Sequence, residues 1–357
     1  MSIARVATRA FELPLRGELR WGRAGRLTGL RHVLVSVFDD AGNVGVAEAP
    51  VRETIYGETV QSIETIVRYL EPLLVGLDVD DIETQQAVLA RVPNNNCAKG
   101  ALDTALCELR AKARGGTLFS AERGERARLE VSFILGIADP DAMLAEAARI
   151  YEAGVRVFKI KVGQSAAHDA RVLGALKDTF TGAGVTLYAD ANEGLNPETA
   201  VRDLERLAQL GVLYVEEPLP VHLLQERAEL KAAGILPIVA DDSCFTLPDL
   251  ERELAFDTFD ILNIKTARTG FTGSQKMLNL AHSAGRGVMV GSQASAGLGT
   301  LHAGVFGSKA GVTHPCELSF PLKLGADILN GPLQFKDGFL EVAGLEKLGL
   351  ADNSSAP

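Results

Sequence analysis

Arg156-Val157-Phe158-Lys159-Ile160-Lys161 opens a series of five short apolar runs, each closed by a charged residue. The others are Leu187-Tyr188-Ala189-Asp190, Leu213-Tyr214-Val215-Glu216, Ile238-Val239-Ala240-Asp241 and Ile261-Leu262-Asn263-Ile264-Lys265. From Lys161 the closing residues follow at intervals of 29, 26, 25 and 24, room for one strand, one helix and two loops. A repeated βα unit of that size closes most readily into a parallel barrel. Parallel strands buried on both faces are continuously apolar, as these are. Such barrels carry their chemistry at the carboxyl ends of the strands. Three carboxylates flanked by lysines on one mouth suggest a divalent metal site with proton-transfer groups on either side.

Working outward, Val131 to Leu135 is the expected first strand, and Asp139-Pro140 a favourable start for the first helix. Val288 to Val290 and a short run near Cys316 to Leu318 supply the last two strands. Helices fill about 140–153, 166–179, 197–210, 221–233, 247–254, 271–284 and 297–309. Eight strands and seven helices predict a (β/α)7β TIM-like barrel over residues 126–324. Before it, residues 1–125 predict an α+β capping domain. Its strands are Ile3 to Leu13, His32 to Phe38 and Val44 to Glu48, with a turn at 39–43. Its helices are Glu58 to Leu74, Asp81 to Ala90 and Ala98 to Ala113, with a turn and helix cap at Asn94-Asn95-Asn96. Leu15 to Leu30 holds four Gly, four Arg and the only Trp, and is expected as a long loop. It is either a lid presenting Trp21 and the arginines of Arg16 to Arg26 to an anionic ligand, or a mobile surface segment. Residues 325–357, with a strand at 338–342, are expected to return to the cap.

The 357 residues are 46% hydrophobic and 23% charged, ordinary for a globular protein. A net charge of −10 argues against nucleic acid or an anionic membrane as partner, though not against a small carboxylate substrate. Cys97, Cys107, Cys244 and Cys316 lack paired spacing, which argues against a zinc site or a disulfide framework. With no signal peptide and no apolar run near ~18 residues, a cytoplasmic location is expected.

Lys159 and Lys161 lie two apart on a strand and point the same way. Their mutual repulsion and partial desolvation would lower one pKa toward neutrality. A lysine made basic in this way can take a proton beside a carbonyl. The competing reading is a pair of lysines snorkelling from a strand end. A single strand-end carboxylate commonly caps a helix, but Asp190, Glu216 and Asp241 on consecutive strands need a cation between them. All-oxygen ligation suits Mg2+, with Mn2+ as a substitute. Glu217 and Asp242 double two of these positions, so one of each pair should face the metal and the other turn away. Lys265 stands across the ring from Lys161, which permits proton removal on one face of a planar intermediate and return on the other.

The set Lys159-Ile160-Lys161, Asp190-Ala191-Asn192, Val215-Glu216-Glu217-Pro218, Ala240-Asp241-Asp242-Ser243 and Asn263-Ile264-Lys265 resembles the muconate-lactonizing (muconate cycloisomerase) subgroup of the enolase superfamily. The resemblance covers essentially the whole chain. It implies that Asp190, Glu216 and Asp241 bind Mg2+, that Lys161 and Lys265 are the acid/base lysines, and that Lys159 assists Lys161. It also implies a homo-oligomer, an octamer being one form. The mandelate racemase branch fits less well, since it has a catalytic His where Lys265 stands.

Residues 264–274, Val44 to Pro50 and Tyr56-Gly57-Glu58 resemble one branch of cis,cis-muconate cycloisomerases. Glu317 matches their single Glu on the last strand, where dipeptide epimerases tend to have an Asp-x-Asp pair. Two departures, Asp242 in place of Glu and Ser292-Gln293-Ala294-Ser295, fall close to the substrate. Trp21, Tyr56, Asn192, Ser292, Gln293 and Glu317 are therefore the expected substrate-binding residues. The implied activity is Mg2+-dependent cycloisomerisation of a small dicarboxylate such as cis,cis-muconate through an enolate that a lysine protonates. The alternative on the same core is a racemase or epimerase of N-acylamino acids, dipeptides or related α-substituted carboxylates. A Schiff-base aldolase and a non-catalytic binding protein fit the lysine–carboxylate set less well.

Overall fold

A computed structural model describes residues 1–22, 25–163 and 165–351. The chain begins with an antiparallel meander of β1 (Ile3–Trp21), β2 (Gly25–Asp39) and β3 (Val44–Pro50). The stretch expected as a loop is instead the outer end of the β1–β2 hairpin. After a register shift between Pro14 and Leu19, Leu19 pairs with Leu27, Arg20 with Arg26 and Trp21 with Gly25. Its density of Gly and Arg hid the strand pattern. Arg23 and Ala24 of the arginine-rich segment lie outside the described residues.

Helices α1 (Val60–Leu74), α2 (Ile82–Leu89) and α3 (Asn96–Ala113) close one face of this sheet. On α1 the buried residues Ile63, Val67, Leu70 and Leu74 recur every three or four positions, the stripe of a helix lying on a core. A Thr59–Ser62 capping box satisfies its first amides. Asn94 and Asn95 form the expected turn in left-handed conformation, but Asn95 makes no capping bond. Glu58 serves α3 instead, accepting from the Cys97 and Ala98 amides at 2.9 and 3.1 Å.

After α4 (Leu118–Glu122) and β4 (Arg128–Glu130) the βα rhythm runs without interruption. Its units are β5 (Ser132–Leu135), α5 (Pro140–Glu152), β6 (Val157–Lys161), α6 (Ala166–Thr179), β7 (Thr186–Asp190), α7 (Ala200–Gln209), β8 (Val212–Glu216) and α8 (Leu224–Ala232). They continue with β9 (Ile238–Ala240), α9 (Leu247–Phe256), β10 (Ile261–Ile264), α10 (Thr266–Ser283), β11 (Gly287–Val290) and α11 (Gly297–Gly307). Strands β5 to β11 form one parallel sheet in sequence order. The expected last strand at Cys316 to Leu318 is a short link. It joins the two edges through Ser132 N–H to Cys316 O and Glu317 N–H to Val290 O, both 2.8 Å. The fold is a (β/α)7β barrel beside a separate α+β N-terminal domain.

Alternation along the strands sorts the barrel into three zones. Phe158, Ile160, Leu187, Ala189, Val215, Ile238, Leu262 and Ile264 belong to the core shared with the helices. Val157, Tyr188, Tyr214, Val239, Ile261 and Met289 form a second, apolar cluster inside the lower barrel. One inward step further along the strands come Lys159, Asp190, Glu216, Asp241 and Asn263, with Lys161 and Lys265 at the rim.

Beyond the barrel the chain meets the cap at Gly325, whose N–H donates to Pro14 O at 2.7 Å. It then turns away from the expected course: β12 (Phe335–Lys336) and β13 (Phe339–Glu341) pair with β4, and α12 (Val342–Leu345) packs on α11. Cap and barrel are pressed together along α3 and α10. Gly270, at φ 64°, kinks α10, and a Cβ there would fall 2.2 Å from the Asp103 carboxylate. The same carboxylate accepts the Thr272 amide at 2.8 Å. Among the described residues no helix is long and apolar enough to cross a membrane, and all four cysteines are buried free thiols.

Candidate active site

The strand ends open into a cavity of about 540 Å3 roofed by the outer β1–β2 hairpin and the segment after β3. Lys159, Lys161, Asp190, Asp241, Asp242 and Lys265 line its floor. Leu19, Trp21, Ile55, Ile134, Val221, Phe245 and Phe320 supply its apolar lining.

The floor is a buried array of alternating charge. Lys159 Nζ lies 2.9 Å from Asp190, 2.6 Å from Glu216 and 2.6 Å from Glu317. Lys161 Nζ donates to Asp190 Oδ2 at 2.6 Å and to Asn192 Oδ1 at 2.7 Å. Lys265 Nζ donates to Asp241 Oδ2. Burial opposes the Lys159 charge, but Asp190, Glu216 and Glu317 outweigh it and hold its pKa well above the usual lysine range. The lowered pKa expected from Lys159–Lys161 repulsion is therefore not found at Lys159, because three carboxylates contact it. Burial works against the Lys265 ammonium too, and Asp241 overrides it in the same direction. Asp190 moves down to about 2, since Lys159 and Lys161 overcome its burial. Glu216 moves well up through burial and the nearby Asp190, Asp241 and Glu317 charges.

Among the described residues no three acidic, histidine or cysteine side chains stand in a ready-made coordination shell. The carboxylates of Asp190, Glu216 and Asp241 face lysine ammonium groups instead. Their chemistry nevertheless fits a hard divalent cation: all donors are carboxylate oxygens, all three are at most 3% exposed, and their repulsion shows in the upward shift of Glu216. Asn263 Nδ2 supports Glu216 Oε2 at 3.3 Å. Glu217 is turned away: it accepts the Ser243 N–H and Oγ–H at 2.9 and 2.8 Å and Arg227 at 3.2 Å, while burial pushes it up to about 8. Asp242 stays on the cavity wall, pushed up to about 6 by burial and by Asp241.

Of the six residues expected to bind substrate, Trp21, Asn192, Ser292, Gln293 and Glu317 line the cavity. Tyr56 does not: it stands behind the wall, where its hydroxyl accepts from Gln293 Nε2 and, at 3.4 Å, from Arg268. Both Glu317 oxygens are engaged, Oε1 by Lys159 and by Tyr188 at 3.1 Å, Oε2 by the Ser292 N–H at 2.8 Å. Arg16 donates to Leu324 O, and Arg20 and Arg26 pair with Glu18, so none of these three faces the cavity.

Sequence reasoning gave no role to Arg268 and Arg52. Arg268, one turn beyond Lys265, donates to Asp241 Oδ1 at 3.1 Å and to Asp241 O at 2.9 Å, fixing that carboxylate from behind. A charged residue in the first turn after a strand-end lysine was the available signal. Arg52 lines the cavity from the cap and donates to the carbonyls of Val51, Gln293 and Ala294. No local pattern marks a partner 241 residues away.

Residues 142–351 match the family model described as enolase C-terminal domain-like. Residues 24–120 match the mandelate racemase / muconate lactonizing enzyme N-terminal domain. The chain superimposes on the muconate lactonizing enzyme of Mycobacterium smegmatis complexed with muconolactone with a TM-score of 0.93 and 35% identity, over 99% of this chain and 98% of the other. It is similarly close to the dipeptide epimerase of Cytophaga hutchinsonii complexed with Mg and the dipeptide D-Ala-L-Val: TM-score 0.91, 27% identity, 99% and 97% coverage. The N-succinylamino acid racemase of Thermus thermophilus is 30% identical over 96% of this chain and 92% of its own length.

Proposed function

The chain belongs to the enolase superfamily, as an isomerase of its mandelate racemase/muconate lactonizing branch, and from that premise we propose that it racemises or epimerises an α-substituted carboxylate. N-acylamino acids and dipeptides are the substrate class. The observation that carries this reading is that Lys161 and Lys265 stand at the ends of separate strands and border the same cavity.

In this reading Asp190, Glu216 and Asp241 hold Mg2+, which when bound supplies the positive charge that stabilises negative charge developing on the substrate carboxylate. The neutral amine of one lysine takes the α-proton. The ammonium of the other returns a proton to the opposite face. Lys159, kept charged by its three carboxylates, assists Lys161 by holding the Asp190 carboxylate that both lysines contact. Asn192 orients the Lys161 Nζ through its 2.7 Å bond. Asp242 can accept a substrate N–H, and Leu19, Trp21, Ile134 and Phe320 suit an apolar substituent.

A dicarboxylate would want a second cation. Of the cations that line the cavity, Arg52 donates to backbone carbonyls, and Lys159, Lys161 and Lys265 each contact carboxylates. This weighs against muconate. Cycloisomerisation stays as the second reading because of the M. smegmatis similarity and the single Glu317. Purified protein with Mg2+ is expected to change the optical rotation of an N-acylamino acid or dipeptide, and to exchange its α-hydrogen in D2O. Chelator should abolish both. Rapid loss of muconate absorbance without racemisation of any such substrate would overturn the proposal in favour of the cycloisomerase.

A further inference from the structure

The loop after β11, Ser292 to Ala296, forms part of the cavity wall, yet its shape is set largely from the other domain. Ala294 has φ 53°, the left-handed region that an alanine side chain disfavours. A residue stays there only when its surroundings hold it. Arg52 provides the hold: its buried guanidinium donates to Gln293 O and Ala294 O on one side and to Val51 O of the cap on the other. Two further cap residues act on the same loop. Glu48 Oε1 accepts the Ala296 N–H at 2.7 Å, and the Tyr56 hydroxyl accepts from Gln293 Nε2. From the barrel side, Ser292 Oγ accepts the Ala294 N–H at 3.0 Å, and Glu317 Oε2 takes the Ser292 N–H.

We propose that Arg52 is a positioning residue for substrate binding: by pinning the carbonyls of the two peptides that flank the strained Ala294 it makes the shape of the 292–296 wall depend on cap docking. The planar guanidinium suits this task because one fork reaches neighbouring carbonyls in different directions. A lysine at the same place keeps the charge but loses the fork. With the clamp gone, Ala294 relaxes toward an ordinary backbone conformation and the wall moves. Glycine at 294 would reach the left-handed conformation without help. The effect on affinity rests on the proposed function; the effect on the loop does not.

The test combines amide hydrogen exchange over residues 291–297 with steady-state kinetics, on the full chain. Arg52→Lys is expected to speed exchange in 291–297 at least ten-fold while β6 to β10 keep their rates. KM should rise about ten-fold with kcat within three-fold. Adding Ala294→Gly should return both readouts toward wild type, which a merely structural arginine would not show. Unchanged exchange in Arg52→Lys, acceleration spread evenly over both domains, or a double variant no closer to wild type would each overturn the clamp. Should Arg52→Lys not fold, Tyr56→Phe tests the same cap hold on the loop, since it removes the hydroxyl that accepts from Gln293 and from Arg268: acceleration confined to 291–297 supports the clamp, and none there overturns it. Exchange needs no substrate, so a wrong substrate class silences the kinetics and leaves the exchange result for the loop intact.

Discussion

Two layers inside one barrel, one or two inward steps apart, have opposite chemistry. The lower holds Val157, Tyr188, Tyr214, Val239, Ile261 and Met289. The upper holds Lys159, Lys161, Asp190, Glu216, Asp241 and Lys265, two to four residues further along the same strands. Two strand residues span only about 6.6 Å. Tyr188 joins the layers: its ring lies in the lower, and its hydroxyl meets Ser132 Oγ at 3.0 Å and Glu317 at 3.1 Å. The buried, close-packed lower layer offers the charges no polar partners from beneath except the Tyr188 hydroxyl. Each charge above it must then find an opposite partner, because an unpaired buried charge is costly. The difference teaches that the apolar layer is part of the active site's electrostatics, although it touches no substrate.

The sharpest way to separate the layers is to remove a lysine from the upper one. Lys161→Ala and Lys265→Ala are each expected to cost 10³-fold or more in racemisation, about 4 kcal/mol of barrier, with a smaller loss of thermal stability, because Lys159 still pairs with Asp190 and Arg268 with Asp241. A variant that keeps one-sided α-deuterium exchange would identify the lysine serving each enantiomer. Turnover within ten-fold of wild type would break the two-base reading.

Met289→Ala in the lower layer should do the reverse. Met289 is fully buried, and truncation should cost about 2–5 kcal/mol in urea unfolding while the folded fraction keeps kcat within a few-fold. A large kcat loss without a stability loss would mean that the layers are not separable.

The smallest effect concerns pH. Asp242 has a folded pKa of about 6 against an ordinary value of 3.8. The folded chain therefore holds this proton more tightly than the unfolded chain does. Its contribution to stability is complete below about pH 4 and is lost as pH rises toward 6. Between pH 4 and 6, metal-free wild type should lose stability relative to Asp242→Asn by no more than about 2 kcal/mol, once solvent screening of this half-buried group is allowed for. Parallel stability profiles for the two proteins would remove Asp242 from the buried charge array.

The upper layer was legible in the sequence because each charged residue closes an apolar run, and the even spacing of those runs marks the fold. Glu217, Asp242 and the lysine pair could be placed at strand ends, but not their partners. Lys159 illustrates the gap: its neighbour Lys161 suggested repulsion, whereas Glu317, 158 residues away, helps hold it charged. The hairpin carrying Trp21 was obscured by glycine and arginine, whose composition suggests a loop even where the backbone pairs. Arg52, Glu48 and Tyr56 act across the domain boundary, and contacts of that kind leave no period in the chain.

The seam where the barrel closes has a consequence for how the protein is made. Ser132 O accepts from Ser319 Oγ, 187 residues further along, and the hydrogen bonds of the Cys316 link close beside it. During synthesis the β5 edge has no partner on that side until this late segment leaves the ribosome. At roughly 5–20 residues per second the wait is about 10–40 s. Throughout it the growing chain presents an open strand edge, a template for pairing with other chains. Ring closure, with its long-range contacts, is thus the slow and exposed stage of this protein's production, and the stage at which a chaperone has the most to protect.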